Sequence, residues 1–258
     1  ERLSAAKRLS GLALEIWTGD FDQSSAAVMT ALDDPDPKVR QLAAVSLFQA
    51  TWVIWGSLEV SEEKEAALKA ASPKLRQLHP QLVERLDDED PQVREYLLRA
   101  LGTWMPSVPE GLSTTMVRAV DDPSAQVARL ALRVLGRSGE RSEEVVSKVL
   151  GALEEKPELR STAADVLAQL YGEHTKSAGR APASAEIIDG LSVAVGDPDE
   201  RVQRAAIRAL GRIGAGSESV RALLQTHADS ETLGVEVERA LQLLDAYAPI
   251  VEGEEDPS

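Results

Sequence analysis

The chain contains no cysteine in 258 residues, which excludes disulfides, thiolate metal sites and thiol nucleophiles. Aromatic residues make up only 3% of it. A core must therefore be filled by Leu, Val, Ile and Ala, the side chains of packed helices. No apolar run reaches the roughly 18 residues a membrane span needs, and the opening residues lack the charged, apolar and small-residue regions of a signal peptide. Positive charge is also scarce. Twenty-eight Lys and Arg against 43 Asp and Glu give a formal net charge of -15, so the summed field repels nucleic acid and anionic membrane surfaces and favours a basic or neutral partner. The expected location is the cytoplasm. The first residue is Glu rather than Met, as expected for one region of a longer protein.

Phosphate-binding glycine loops are missing as well. "GRIGAG" follows a helical pattern rather than a strand, so it is expected to be a helix end. The three histidines, His79, His174 and His227, show no metal-ligand spacing, and "HADSE" is expected to be a helix end rather than a triad. No cofactor and no metal is implied.

What the chain does contain is a repeat. "DDPDPKVRQLAAVSLF", "DDEDPQVREYLLRALG", "DDPSAQVARLALRVLG", "EEKPELRSTAADVLAQ" and "GDPDERVQRAAIRALG" align on Val39, Val93, Val127, Leu159 and Val202. Two of the intervals lie near 33 residues and the other two carry insertions. Five residues before each anchor stands an acid: Asp34, Asp88, Asp122, Glu154 and Asp197. Three before it stand Asp36, Asp90, Ser124, Lys156 and Asp199, four of them good N-caps, with Pro37 and Pro91 in the first helical position. Val127, Leu130, Ala131, Val134 and Leu135 then recur with helical spacing, and Leu98, Leu132 and Ile207 widen the stripe as a helix with neighbours on two sides requires. A second helical pattern precedes each turn, as in Leu112, Met116, Val117 and Val120, or Val145, Val146, Val149, Leu150 and Leu153.

Helix–turn–helix units of this kind bury their apolar faces by stacking. The expected fold is all-α: an α-α superhelix of about six to seven repeats in a single solenoid over residues 1–251. The first repeat, "ERLSAAKRLSG", is truncated, insertions lie near 50–72 and 172–186, and residues 252–258 form an acidic flexible tail. "FQATWVIWGSLEV" is expected to prolong the first anchored helix.

The pattern D-x-x-x-V-R-x-x-A-x-x-x-L-G, seen as "DPQVREYLLRALG" and "DPDERVQRAAIRALG", resembles the HEAT repeats, specifically the short type of phycobilisome lyases. The resemblance implies that the arginine after the anchor pairs with the turn aspartate of an adjacent repeat. Arg2, Arg40, Arg94 and Arg160 match that slot, whereas Ala128 and Gln203 depart from it and interrupt the ladder. It also implies that the second helices line the concave face. Their outward slots are Gln41, Val45 and Gln49; Glu95, Arg99 and Thr103; Arg129, Arg133 and Arg137; Ser161, Asp165 and Gln169; and Arg204, Arg208 and Arg212.

Seven arginines thus concentrate in three helices of an acidic chain. They form two basic ridges flanking a neutral-to-acidic valley, with Arg133 and Arg208 expected to face solvent. The ridges suit separated acidic contacts on a protein better than a nucleic-acid backbone, although a solvated helix face has the same look. Aromatics cluster at the other end. Trp17 and Trp55 are expected side by side in neighbouring repeats, with Trp52 nearby, either as a binding hot spot or as packing for the insertion. The carboxylate pairs Asp33–Asp34, Asp87–Asp88 and Asp121–Asp122 recur with the repeat, so they are turn and cap residues rather than one active site. The leading expectation is a non-enzymatic scaffold or adaptor for another macromolecule, a protein, with no membrane contact and an open oligomeric state. Two alternatives resemble other members of the same superfamily: a bilin-binding lyase, and a HEAT-like nucleic-acid-binding protein, against which the net charge counts.

Overall fold

A computed structural model describes residues 21–55, 77–103, 112–172, 183–214 and 217–246. The expected all-α architecture is observed, with no strand among the described residues. The helices are α1 (Phe21–Leu32), α2 (Pro37–Trp55), α3 (Pro91–Thr103), α4 (Leu112–Ala119), α5 (Ala125–Ser138), α6 (Glu143–Glu155), α7 (Arg160–Gly172), α8 (Ala185–Ala194), α9 (Glu200–Ile213), α10 (Glu218–Gln225) and α11 (Gly234–Ala246). Residues 77–84 are helical too and run into a 3-10 turn, Arg85–Asp87, ahead of α3. The expected truncated repeat, most of both insertions and the acidic tail lie outside the described residues.

Contacts group the chain into two compact units, Glu1–Val134 and Leu135–Ser258. In the first, α2 packs on α1 and on α3. In the second, α7, α9 and α11 stack in sequence as one layer, while α6, α8 and α10 form the other. No helix among the described residues is long and apolar enough to cross a membrane.

The turns form as their residues dictate. Asp34, Asp88, Asp122 and Asp197 each accept the backbone N–H two residues on, which closes the turn. Asp36, Asp90 and Asp199 then accept N–H bonds from Lys38, Gln92 and Arg201, satisfying donors that have no partner inside the helix. The Arg201 guanidinium, and the bond from the Arg201 N–H, hold the Asp199 carboxyl below its usual range. That cap therefore persists as an anion above the ordinary carboxylate pKa and is lost only as pH falls through the lowered one. Pro37 and Pro91 open α2 and α3, where a missing N–H costs nothing.

The ladder implied by the HEAT resemblance is present. Arg40 Nε donates to Asp88 Oδ2 at 2.8 Å, Arg94 Nε to Asp122 Oδ2 at 2.7 Å, and Arg160 Nη1 to Asp197 Oδ2 at 2.9 Å. Each arginine also donates to carbonyls of its own turn: Asp34, Asp88 and Glu154, respectively. One guanidinium thus ties a turn to the next repeat and satisfies its free carbonyls. The bonds to Asp88 and Asp122 raise the Arg40 and Arg94 pKa values. Among the described residues neither Ala128 nor Gln203 makes this bond, as their side chains lead one to expect. Arg85 adds a two-pronged tie to Asp33, which its sequence position did not announce.

Apolar stripes make the core. Val93, Leu97, Leu98 and Leu101 in α3, and Val202, Ala205, Ile207 and Leu210 in α9, are at most 1% exposed. Burying each such Leu, Ile or Val contributes about 1.5–3 kcal/mol. Leu98, Leu132 and Ile207, the slots that widen the stripe, are all buried, and α9 packs on both α7 and α11. The Leu-Gly step has its own function. A Cβ on Gly211 would sit 2.6 Å from Ala240 Cα, so α9 and α11 meet at backbone distance only because residue 211 has no side chain.

Candidate functional site

The arginines of the outward slots behave differently from helix to helix. On α3, Arg99 Nε donates to Glu95 Oε1 at 2.9 Å one turn earlier, and its guanidinium lies 5.9 Å from the Phe48 ring centroid. Phe48 in turn meets Tyr96 at 6.1 Å between centroids, and the Arg99 side chain stays 34% exposed. Gln41, the first slot of α2, donates to Asp90 Oδ2 at 2.6 Å. On α5, Arg129 Nη1 donates to Gln126 Oε1 at 2.9 Å, and Arg133 and Arg137 are exposed on the same side of the helix.

The α9 ridge is held by its own molecule. Arg204 Nε donates to Glu200 Oε1 at 2.8 Å, an i,i+4 pair. Arg208 reaches both neighbouring second helices: Nη2 to Asp165 Oδ1 on α7 and Nη1 to Glu236 Oε1 on α11, each at 3.1 Å. Arg212 is exposed at its far end, close against the backbone of Gly172, where a Cβ would stand 2.9 Å from Arg212 Cβ.

This corrects the expectation that Arg208 faces solvent beside an acidic valley. Arg208, its side chain 41% exposed, pairs with Asp165, whose side chain remains 56% exposed. Burial lowers the Arg208 pKa, but the bonds to Asp165 and Glu236 outweigh it and hold the guanidinium above its ordinary value. Glu236 is the partner that sequence reasoning missed. It belongs to a last repeat without the D-x-x-x-V-R signature, and its carboxylate, 13% exposed, lies one repeat beyond the aligned set. Arg208→Glu is accordingly expected to destabilise the protein by about 1 kcal/mol, the upper end for a half-exposed pair, by bringing three carboxylates together. Arg133→Glu should leave stability within about 0.5 kcal/mol. Urea unfolding of the two variants checks the contrast, and equal stability would return Arg208 to the solvated surface.

Of the aromatic cluster, Trp52 and Trp55 fall in the last turn of α2, while Trp17 lies outside the described residues, as does its expected contact with Trp55. The 19-residue α2 exceeds the 13 and 14 residues of α3 and α5, so the segment does prolong that helix. His227 sits in the turn after α10, bonded to Thr226 and to the Leu223 carbonyl, so "HADSE" is a helix end. His79 is buried. Among the described residues no three His, Asp or Glu side chains are grouped to hold a metal ion.

Known proteins of the same build are numerous. A HEAT-like repeats protein from the archaeon Thermococcus onnurineus NA1 is similar in structure, with a TM-score of 0.61 and 14% identity over 93% of this chain and 97% of its own. An engineered protein is similar at a TM-score of 0.60 and 21% identity, covering 86% of this chain and 96% of its own. A designed armadillo repeat protein solved in complex with the peptide (KR)4 gives 0.57 and 17%, over 84% and 98%. No curated protein matches the chain. The sequence pattern of the HEAT repeats matches residues 79–168 and 157–245. With that match, the Arg–Asp ladder and the stacked helix pairs, the chain belongs to the HEAT-repeat family.

Proposed function

We propose that the chain is a non-enzymatic scaffold or adaptor that binds another protein, and that α5 carries a contact for acidic side chains. The observation that supports this is the different fate of the arginines. Arg99, Arg204 and Arg208 are engaged by acids of their own molecule, whereas Arg133, exposed on α5, meets no acid among the described residues. Carboxylates of a partner match the planar fork of its guanidinium. The short repeat interval supports placing the units with the phycobilisome-lyase type, and the helical-repeat fold holds a peptide in the designed armadillo protein solved with (KR)4.

The test uses a labelled oligo-glutamate peptide in place of the partner, followed by fluorescence anisotropy at low salt. Arg133→Glu combined with Arg137→Glu should leave helicity by circular dichroism unchanged and weaken binding about tenfold or more. Duplex DNA should be retained weakly or not at all, because the net charge opposes it. Equal peptide binding by the double variant and the parent would end the assignment of α5.

A further inference from the structure

The unit Leu135–Ser258 carries an open cleft of about 750 Å3 away from the arginine slots. One wall is the C-terminal turn of α6, with Leu153 and Glu154; the other is α8, with Glu186, Asp189 and Val193; the turn between α8 and α9 closes one end. Gly190 stands midway along the α8 wall, where the absence of a side chain widens the opening toward Leu153.

Two independent features of this cleft point to an occupant. Its charge is one-sided: Glu154, Glu186 and Asp189 have no hydrogen bond or ion pair to their carboxylates among the described residues, while Arg160, the cleft's cation, is already bonded to Asp197. Its apolar surface is out of place: Val193 is 79% exposed, although its neighbours Leu191, Ala194 and Val195 are all buried. A group that satisfies both needs an aliphatic stem to lie on Val193 and a cationic head to meet the carboxylates. Lysine and arginine side chains have that form.

We propose that this cleft is a docking site for a cationic segment of another protein, with a lysine or arginine stem on Val193 and its head among Glu154, Glu186 and Asp189. The net charge of -15 steers such a segment toward the protein, and the cleft fixes where it rests. The site is separate from the α5 contact and opposite to it in charge.

A labelled peptide of alternating lysine and arginine serves as the probe, titrated into the whole protein at moderate salt. Glu186→Gln with Asp189→Asn should weaken binding about tenfold. Glu231→Gln with Glu238→Gln removes the same formal charge from exposed positions outside the cleft in the same unit, and should change binding less than about twofold. Val193→Ser, which alters no charge, should weaken binding several-fold. Arg133→Glu with Arg137→Glu should not weaken it, so failure here is distinct from failure of the α5 assignment. All four sets alter exposed side chains, and unchanged melting temperatures verify that they fold. If the remote pair weakens binding as much as the cleft pair, or if Val193→Ser is silent, attraction is diffuse and the site is overturned. No binding by the parent overturns it as well.

Discussion

Asp122→Ala is expected to destabilise the protein by about 3–5 kcal/mol, the loss typical of a buried ion pair broken on one side. The Asp122 and Arg94 side chains are 10% and 11% exposed, and both carboxylate oxygens are engaged by the guanidinium at 2.7 and 2.8 Å. Removing the carboxylate leaves a charged group at a nearly dry position with only the Asp88 and Glu89 carbonyls to bond. It also frees the Ser124 N–H at the mouth of α5. Adding Arg94→Met should recover much of the loss, because the penalty lies in the unpaired charge rather than in the absence of the pair. Denaturant unfolding of the two variants measures both quantities. A loss below about 1 kcal/mol for Asp122→Ala would mean that the ladder behaves as a solvated surface pair. Arg201–Asp199 provides the internal comparison: with side chains 84% and 39% exposed, its removal should have little effect on the global midpoint.

Gly211→Ala should also destabilise, by about 1–3 kcal/mol, the usual range for forcing an atom into a filled interface. Within a helix the same change is ordinarily favourable by about 0.5–1 kcal/mol, because glycine loses more conformational freedom on folding. The reversal comes from α11: the new Cβ would lie 2.6 Å from Ala240 Cα and 3.1 Å from its carbonyl oxygen, and backbone atoms cannot rotate aside. Gly151→Ala on α6 isolates the propensity effect, since a Cβ there meets nothing within 4 Å, and it should stabilise by about 0.5–1 kcal/mol. Opposite signs in the two melting temperatures are the expected outcome. If both substitutions stabilise, the close approach of α9 and α11 does not limit the fold.

The two effects arise at different ranges in the chain. Asp34, Asp88, Asp122 and Asp197 close their turns through the N–H two residues away, and Asp36, Asp90 and Asp199 cap helices that begin at the next residue. Such bonds are local, so residue type and spacing carry them. Helical stripes are local in the same way, and their repetition implies stacking because one pair of helices cannot bury its apolar face alone. Fold class, turns, caps and core were accordingly legible in the amino-acid string. The ladder became legible through the resemblance to the HEAT repeats.

The electrostatic environment of the candidate sites was not legible, because each depends on helices brought together from distant positions. Arg208 and Arg133 occupy equivalent slots in their repeats, yet only Arg208 finds Asp165 and Glu236, 43 and 28 residues away in sequence. Val193 resembles its buried neighbours in the run "LSVAV" until the stripe of α8 turns it outward, and the acids around it meet only where α6 and α8 pack. By itself the sequence determined the repeating helix pair, since caps, turns and apolar periods act over a few residues. Tertiary structure alone decided which charges are neutralised and which remain exposed, since Coulomb attraction and desolvation depend on distance and burial rather than on position along the chain.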